Sequence, residues 1–124
     1  MAKKILIADD EANIVIALEF LLQKSGYEVE VVADGEEVLR QLKSFAPDLV
    51  LLDVMMPRVS GYEVCQRMRS SPEWRSIKIV MLSAKGREVE VSKGMSLGAD
   101  LYVTKPFSNT ELVATINDLL SRSG

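Results

Sequence analysis

The stretch Leu49-Val50-Leu51-Leu52-Asp53-Val54-Met55-Met56-Pro57 decides how this chain is read. Four apolar residues run directly into a carboxylate, and an apolar triplet closed by Pro57 follows. Continuous Leu and Val between Pro47 and Pro57 predict a strand buried on both faces. Asp53 stands at its C-terminal end, the edge where ligands bind in open α/β sheets. A carboxylate there is costly unless something uses it. Taken alone, Asp53 fits equally well a plain structural role, turning the chain and capping a backbone group. The flanking segments settle which reading holds.

Upstream, Lys4 to Ala8 is a short apolar run, hence a first strand, and it ends at Asp9-Asp10-Glu11. Ile14, Ala17, Leu18, Leu21 and Leu22 then follow helical spacing until Gly26. Glu28-Val29-Glu30-Val31 alternates strictly, which predicts a half-exposed edge strand. Asp34 and Glu37 have capping-box spacing, and Val38, Leu42 and Phe45 share the face of the helix they open.

Downstream, Ser60 and Glu63 repeat that spacing and open a helix through about Arg69. A polar loop from Ser70 to Ser76 carries Pro72 and Trp74. Ile77 to Leu82 is a fourth strand, ending at Ser83-Ala84-Lys85-Gly86. Glu88 to Leu97 is a weak helix, because it contains Gly94 and its apolar face reduces to Val91 and Met95. It is expected to be among the more mobile elements. Leu101-Tyr102-Val103 is a short fifth strand before Thr104-Lys105-Pro106-Phe107. Ser108 and Glu111 open the last helix, lined by Leu112, Ile116, Leu119 and Leu120.

Five strands alternating with five helices predict one α/β domain over residues 1–124: a doubly wound parallel sheet with helices on both faces. Only Ser121-Arg122-Ser123-Gly124 remain after the last helix, so no output domain is expected in the chain. The common strand order for this class is 2-1-3-4-5, the flavodoxin-like arrangement.

Composition narrows the chemistry. A net charge of −3 gives no support for a nucleic-acid or anionic-membrane surface. No apolar run approaches the roughly 18 residues of a membrane span, and Met1-Ala2-Lys3-Lys4-Ile5 lacks a leader's long apolar region. The single Cys65 forms no intrachain disulfide, which fits a cytoplasmic location. The chain has no histidine. That removes Ser-His-Asp and Cys-His catalysis and histidine metal sites, and leaves hard, oxygen-bound ions such as Mg²⁺.

The polar groups at the strand ends are Asp9 and Asp10, Asp53, Ser83 and Lys105. Adjacent first and third strands would gather three carboxylates, which repel unless a cation joins them. Mg²⁺ suits such a set, and a lysine and a hydroxyl opposite it match the demands of phosphoryl transfer. A carboxylate can itself be the nucleophile. Each group has a plainer alternative. Asp9-Asp10-Glu11 fits an acidic first turn, Ser83 a turn residue, Lys105 a solvated surface lysine, Tyr102 a half-buried edge aromatic, and Met55-Met56 core filling.

Together the motifs resemble the receiver domain of two-component response regulators. The matching segments are Ile7-Ala8-Asp9-Asp10-Glu11, Leu52-Asp53-Val54-Met55-Met56-Pro57 with Gly61, Leu82-Ser83-Ala84, and Gly98-Ala99-Asp100-Leu101-Tyr102-Val103-Thr104-Lys105-Pro106-Phe107. The resemblance implies that Asp53 accepts a phosphoryl group from a phosphohistidine on a sensor histidine kinase or phosphotransfer protein. Asp9, Asp10, Asp53 and the Met55 backbone carbonyl would hold Mg²⁺. Lys105 and Ser83 would contact the phosphoryl oxygens, and Lys105-Pro106 would be a cis peptide. Ser83 and Tyr102 would form a switch, with the ring turning inward and altering the face of helix four, strand five and helix five. That face would address a downstream target protein or output domain.

Ser83 stands where threonine is commoner in the family, and Lys78 where proline often begins strand four. Met55 and Lys85 lie two residues after the acceptor and the switch hydroxyl. Neither orients a water, which predicts slow self-dephosphorylation. Three rivals share parts of this pattern. A flavodoxin-like electron carrier needs a hydroxyl- and glycine-rich first loop, where this chain has Asp9-Asp10-Glu11. An aspartate-nucleophile phosphatase needs an acid two positions after Asp53, where this chain has Met55. A phosphorylation-independent interaction module typically lacks part of the acidic set or the lysine, and here all are present.

Overall fold

In the computed structural model, which describes residues 2–84 and 86–122, strand and helix alternate throughout. The elements are β1 (Lys4–Ala8), α1 (Ala12–Lys24), β2 (Glu28–Val32), α2 (Gly35–Ser44), β3 (Leu49–Asp53), α3 (Gly61–Ser70), β4 (Lys78–Ser83), α4 (Glu88–Ser96), β5 (Leu101–Thr104) and α5 (Asn109–Arg122). All strand pairs are parallel, in the order β2-β1-β3-β4-β5. This is the doubly wound, flavodoxin-like sheet the strand–helix alternation predicts.

β3 is central, and all five of its residues are buried. Successive side chains point to opposite faces. Val50 and Leu52 enter the core under α2, α3 and α4, with Leu6, Val38, Val64 and Met81. Leu49 and Leu51 enter the core under α1 and α5, with Leu18, Leu22, Ile116 and Leu120. An unbroken apolar run is therefore required, since both faces are covered. Each such buried side chain contributes about 1.5–3 kcal/mol. β2 forms one edge, with Glu28 and Glu30 outward, and β5 the other, only four residues long.

The helix starts follow the sequence. Asp34 and Ser60 accept hydrogen bonds from the Glu37 and Glu63 amides at 2.9 and 3.2 Å, and Ser108 does so from Glu111 at 3.2 Å. Three details differ from expectation. On α1 the buried stripe is Val15, Leu18 and Leu22, while Ile16 and Phe20 face outward. β4 runs one residue later than read, taking in Ser83. α5 extends through Ser121 and Arg122.

α4 differs most. Met95 is exposed, and the helix's one buried residue is Gly94. A Cβ on Gly94 would lie 2.8 Å from both the Met81 sulfur and the Tyr102 ring. The glycine that lowers helix propensity is thus the point at which α4 meets the sheet.

Cys65 is fully buried on α3, its thiol directed at the Leu97 carbonyl at 3.5 Å, and burial pushes that thiol's pKa upward. After α2, Ala46 adopts a left-handed conformation (φ 54°) while its amide bonds to the Gln41 carbonyl. Glycine occupies such helix-terminal positions without a Cβ penalty. Ala46→Gly is therefore expected to stabilise the fold by about 0.5–1 kcal/mol, a rise of about 2–4 °C in thermal midpoint. A lower midpoint by calorimetry would show the strain argument to be wrong here.

Candidate functional site: an acidic cluster closed by a lysine

β1 and β3 are neighbours, with Ala8 paired to Leu52, so Asp9 and Asp53 leave the sheet side by side. The Asp9 amide bonds to the Val32 carbonyl at 3.2 Å, and the Val54 amide to the Leu82 carbonyl at 3.0 Å. Backbone hydrogen bonds therefore fix the two chain exits. Asp9 and Asp53 are only 2% and 4% exposed, while Asp10 is exposed. One carboxylate oxygen from each of the three lies within 4.8 Å of the others. None sits in the first turn of α1, which begins at Ala12 without an acidic residue there. The acidic-first-turn alternative is thereby removed.

β4 supplies Ser83, fully buried and paired with Thr104. The Lys105 amide donates to the Ser83 carbonyl at 2.8 Å, which ties the residue after β5 to the end of β4. From there Lys105 reaches back across the strand ends. Its ammonium lies 3.0 Å from Asp9 Oδ2, 3.6 Å from Asp53 Oδ2 and 2.5 Å from Glu11 Oε1. Its side chain is 9% exposed, so it is no solvated surface lysine. The Lys105–Pro106 peptide is cis.

The Met55 amide donates to Asp53 Oδ1 at 3.1 Å, and the Glu11 amide to Asp9 Oδ1 at 2.9 Å. Met55 itself is exposed, whereas Met56 is buried, so only the second of the pair fills the core. Lys85 lies outside the described residues. Tyr102 is not among the groups at the strand ends. It pairs with Met81, two positions in from Ser83, and packs half-buried beside α4. Gly61 brings α3 close to β3: a Cβ there would lie 2.5 Å from the Asp53 carbonyl oxygen.

The electrostatics follow from this crowding. Burial raises the Asp53 pKa, and the Asp9 charge adds to it, while the Met55 amide and Lys105 pull the other way. Burial opposes the Lys105 charge, but Glu11, Asp9 and Asp53 outweigh it and hold the ammonium above its ordinary value. Two unscreened carboxylates at such separations repel on the order of 3 kcal/mol at an effective dielectric of about 20. One ammonium faces Asp9, Glu11 and Asp53, so it leaves the set net negative. Asp9 Oδ2 is buried, and the Lys105 ammonium at 3.0 Å is its cationic neighbour among the described residues. A hard divalent ion with oxygen preference fits this donor set.

Sequence reasoning located the three aspartates, Ser83 and Lys105 but missed the contact between Glu11 and Lys105, 94 residues apart. No local signal marks it. Tyr62, directly after Gly61, was also passed over, although it reaches α4.

The response regulator receiver domain family matches residues 5–117. The alkaline phosphatase synthesis transcriptional regulatory protein PhoP of Bacillus subtilis is 46% identical over 99% of this chain and 50% of its own length. The probable transcriptional regulator ycf27 of Cyanophora paradoxa is 50% identical over 98% of the chain and 49% of its own length. The chain thus spans about half the length of these relatives. Among solved structures, a putative response regulator from Chloroflexus aurantiacus superposes with a TM-score of 0.91 at 36% identity, covering 98% of this chain and 99% of that one. A BeF₃-activated DrrB receiver domain gives 0.88 at 34% identity, covering 98% and 99%.

Proposed function

We propose, given that the chain belongs to the response regulator receiver domain family, that Asp53 is its phosphoacceptor in a two-component relay. The observation that carries this reading is the meeting of Asp9, Asp10 and Asp53 with Lys105 at the strand ends. A carboxylate oxygen of Asp53 attacks the phosphorus of a phosphohistidine on a sensor kinase or phosphotransfer protein. The O–P bond forms as the P–N bond breaks, and the imidazole leaves with a proton. The donor histidine belongs to the partner, because this chain has none.

Asp9, Asp10, Asp53 and the Met55 backbone carbonyl would hold Mg²⁺, which supplies positive charge to the phosphoryl oxygens. The chain's own residues do the rest. Lys105, held by Glu11 and Asp9 beside the acceptor, neutralises a second oxygen. The Met55 amide orients Asp53, and the Ser83 hydroxyl, buried at the end of β4, is a donor for the third oxygen. Ser83 and Tyr102 then pass the change to the face made by α4, β5 and α5, which addresses a target protein or a linked output domain. The domain is a regulatory switch and not a turnover enzyme: Met55 offers no acid or base two positions after the acceptor.

Intact-mass measurement after incubation with a small phosphodonor and Mg²⁺ tests this. One phosphoryl group is expected, absent in Asp53→Ala and without Mg²⁺. No gain in the unsubstituted chain would defeat the reading. The same assay followed over time tests the brake on hydrolysis. Met55 is exposed beside the acceptor and cannot orient water, so Met55→Asn is expected to hasten loss of the group several-fold. An unchanged decay would count against that role.

A further inference from the structure

Glu11 occupies the N-cap of α1, yet its side chain makes no capping bond there; only its carbonyl serves the helix, accepting from the Ile14 and Val15 amides at 3.1 and 3.0 Å. A cap is ordinarily a short Asp, Asn, Ser or Thr side chain that turns back onto the first amides. The longer Glu11 side chain turns the other way. Its own amide is fixed to Asp9 Oδ1 at 2.9 Å, and its carboxylate meets the Lys105 ammonium at 2.5 Å, 94 residues along the chain.

The three carboxylates around that ammonium are not equivalent. Glu11 is nearest at 2.5 Å, Asp9 follows at 3.0 Å, and Asp53 stands at 3.6 Å, beyond hydrogen-bond length. Asp9 and Asp53 are buried and belong to the acidic cluster that fits a metal, together with Asp10. The Glu11 side chain is 54% exposed and is not one of those three. The ammonium is thus drawn to the outer edge of the cluster and away from the acceptor. A lysine resting on Asp9 and Asp53 would compete with Mg²⁺ for the same oxygens. A lysine paired with Glu11 must loosen that pair to serve a phosphoryl oxygen.

We infer that Glu11 is a positioning residue that keeps the Lys105 ammonium off Asp53 in the resting chain, which favours loading of the metal and opposes the lysine's move to a phosphoryl oxygen. This rests on the phosphoacceptor reading above. Glu11 touches neither metal nor phosphoryl group in this role and acts through Lys105.

The test is a double-substitution cycle on the full chain, read by calorimetric titration with Mg²⁺. Glu11→Gln, which keeps the shape and removes the charge, is expected to weaken Mg²⁺ binding about fivefold. In a Lys105→Met background, where no ammonium can shift, the same substitution should weaken it about twofold or less, the effect of losing an exposed negative charge. Equal weakening in the two backgrounds would overturn the inference, because Glu11 would then act on the metal without the lysine. The ¹⁵N-labelled Lys105 ammonium gives a second reading that needs no Lys105 variant. Its signal in chelator should move in Glu11→Gln, and an unmoved signal would overturn the inference as well. With Mg²⁺ saturating, beryllofluoride, a phosphoryl mimic, should half-saturate Glu11→Gln at about three- to fivefold lower concentration than the unsubstituted chain. An equal or higher concentration would show that Glu11 does not oppose the lysine's move. Absence of any beryllofluoride-dependent change at the Asp53 amide of the unsubstituted chain would instead sink the phosphoacceptor reading itself.

Discussion

Lys105→Met is expected to unfold about 3 kcal/mol more easily than the unsubstituted chain at neutral pH in chelator. Methionine keeps most of the side-chain length, so the loss reports charge. The side chain is 9% exposed, and its ammonium lies within 3.6 Å of Asp9 and Asp53 and 2.5 Å of Glu11. Without it, two buried carboxylates face each other with no cation between them. The pH dependence has a definite sign. The folded-state pKa of Asp53 is raised. Between its unfolded and folded values the native chain therefore holds more protons than the unfolded chain, and stability falls as pH rises. Removing Lys105 removes a lowering influence on Asp53, so that window widens upward. Part of the loss should return as pH is lowered to about 4, and most of it on adding Mg²⁺, as the proposed binding of that ion to the folded cluster requires. Urea unfolding at two pH values, with and without Mg²⁺, measures all of this. A loss under 1 kcal/mol in chelator would mean that Lys105 does not hold the cluster together.

Arg69→Ala is expected to cost a similar amount, about 3 kcal/mol, far from the acidic cluster. The Arg69 guanidinium donates to the carbonyls of Gly98, Arg75 and Ile77 at 2.8, 2.9 and 2.7 Å. It also pairs with Asp100 Oδ2 at 2.8 Å, an oxygen that accepts from the Ile79 amide at the same distance. One side chain thus joins the end of α3, the loop before β4, and the turn between α4 and β5. Both partners of the ion pair are less than a third exposed. Truncation leaves three carbonyls and a carboxylate without this donor. Arg69→Lys should recover less than half of the loss, because an ammonium does not reproduce the planar fork. Full recovery by lysine in urea unfolding would show that charge alone matters there.

Much of this was legible in the sequence because the informative patterns are local. Leu49 to Leu52 announce a strand covered on both faces, and Glu28 to Val31 announce an edge. Three carboxylates at strand ends are conspicuous because nothing structural demands them. What escaped is what depends on distant partners. Gly94 read as a flaw in a helix, yet Met81 and Tyr102 occupy the space its side chain would need. Arg69 read as the end of a helix, and its four acceptors come from segments up to 31 residues away. The bond from Tyr62 crosses 28 residues and ends on a main-chain carbonyl. No residue type at the receiving end marks such a contact.

Cys65, under α4's C-terminal end with its thiol against the Leu97 carbonyl, carries one more consequence. It is the chain's sole thiol, wholly shielded, and held in its unreactive neutral form by burial. Alkylating or disulfide-exchanging reagents should therefore modify only molecules in which α3 has parted from α4. The labelling rate becomes a clock for that opening, readable without introducing any probe. Mg²⁺ should slow that clock if the opening also dismantles the acidic cluster, and leave it untouched if α4 lifts away by itself.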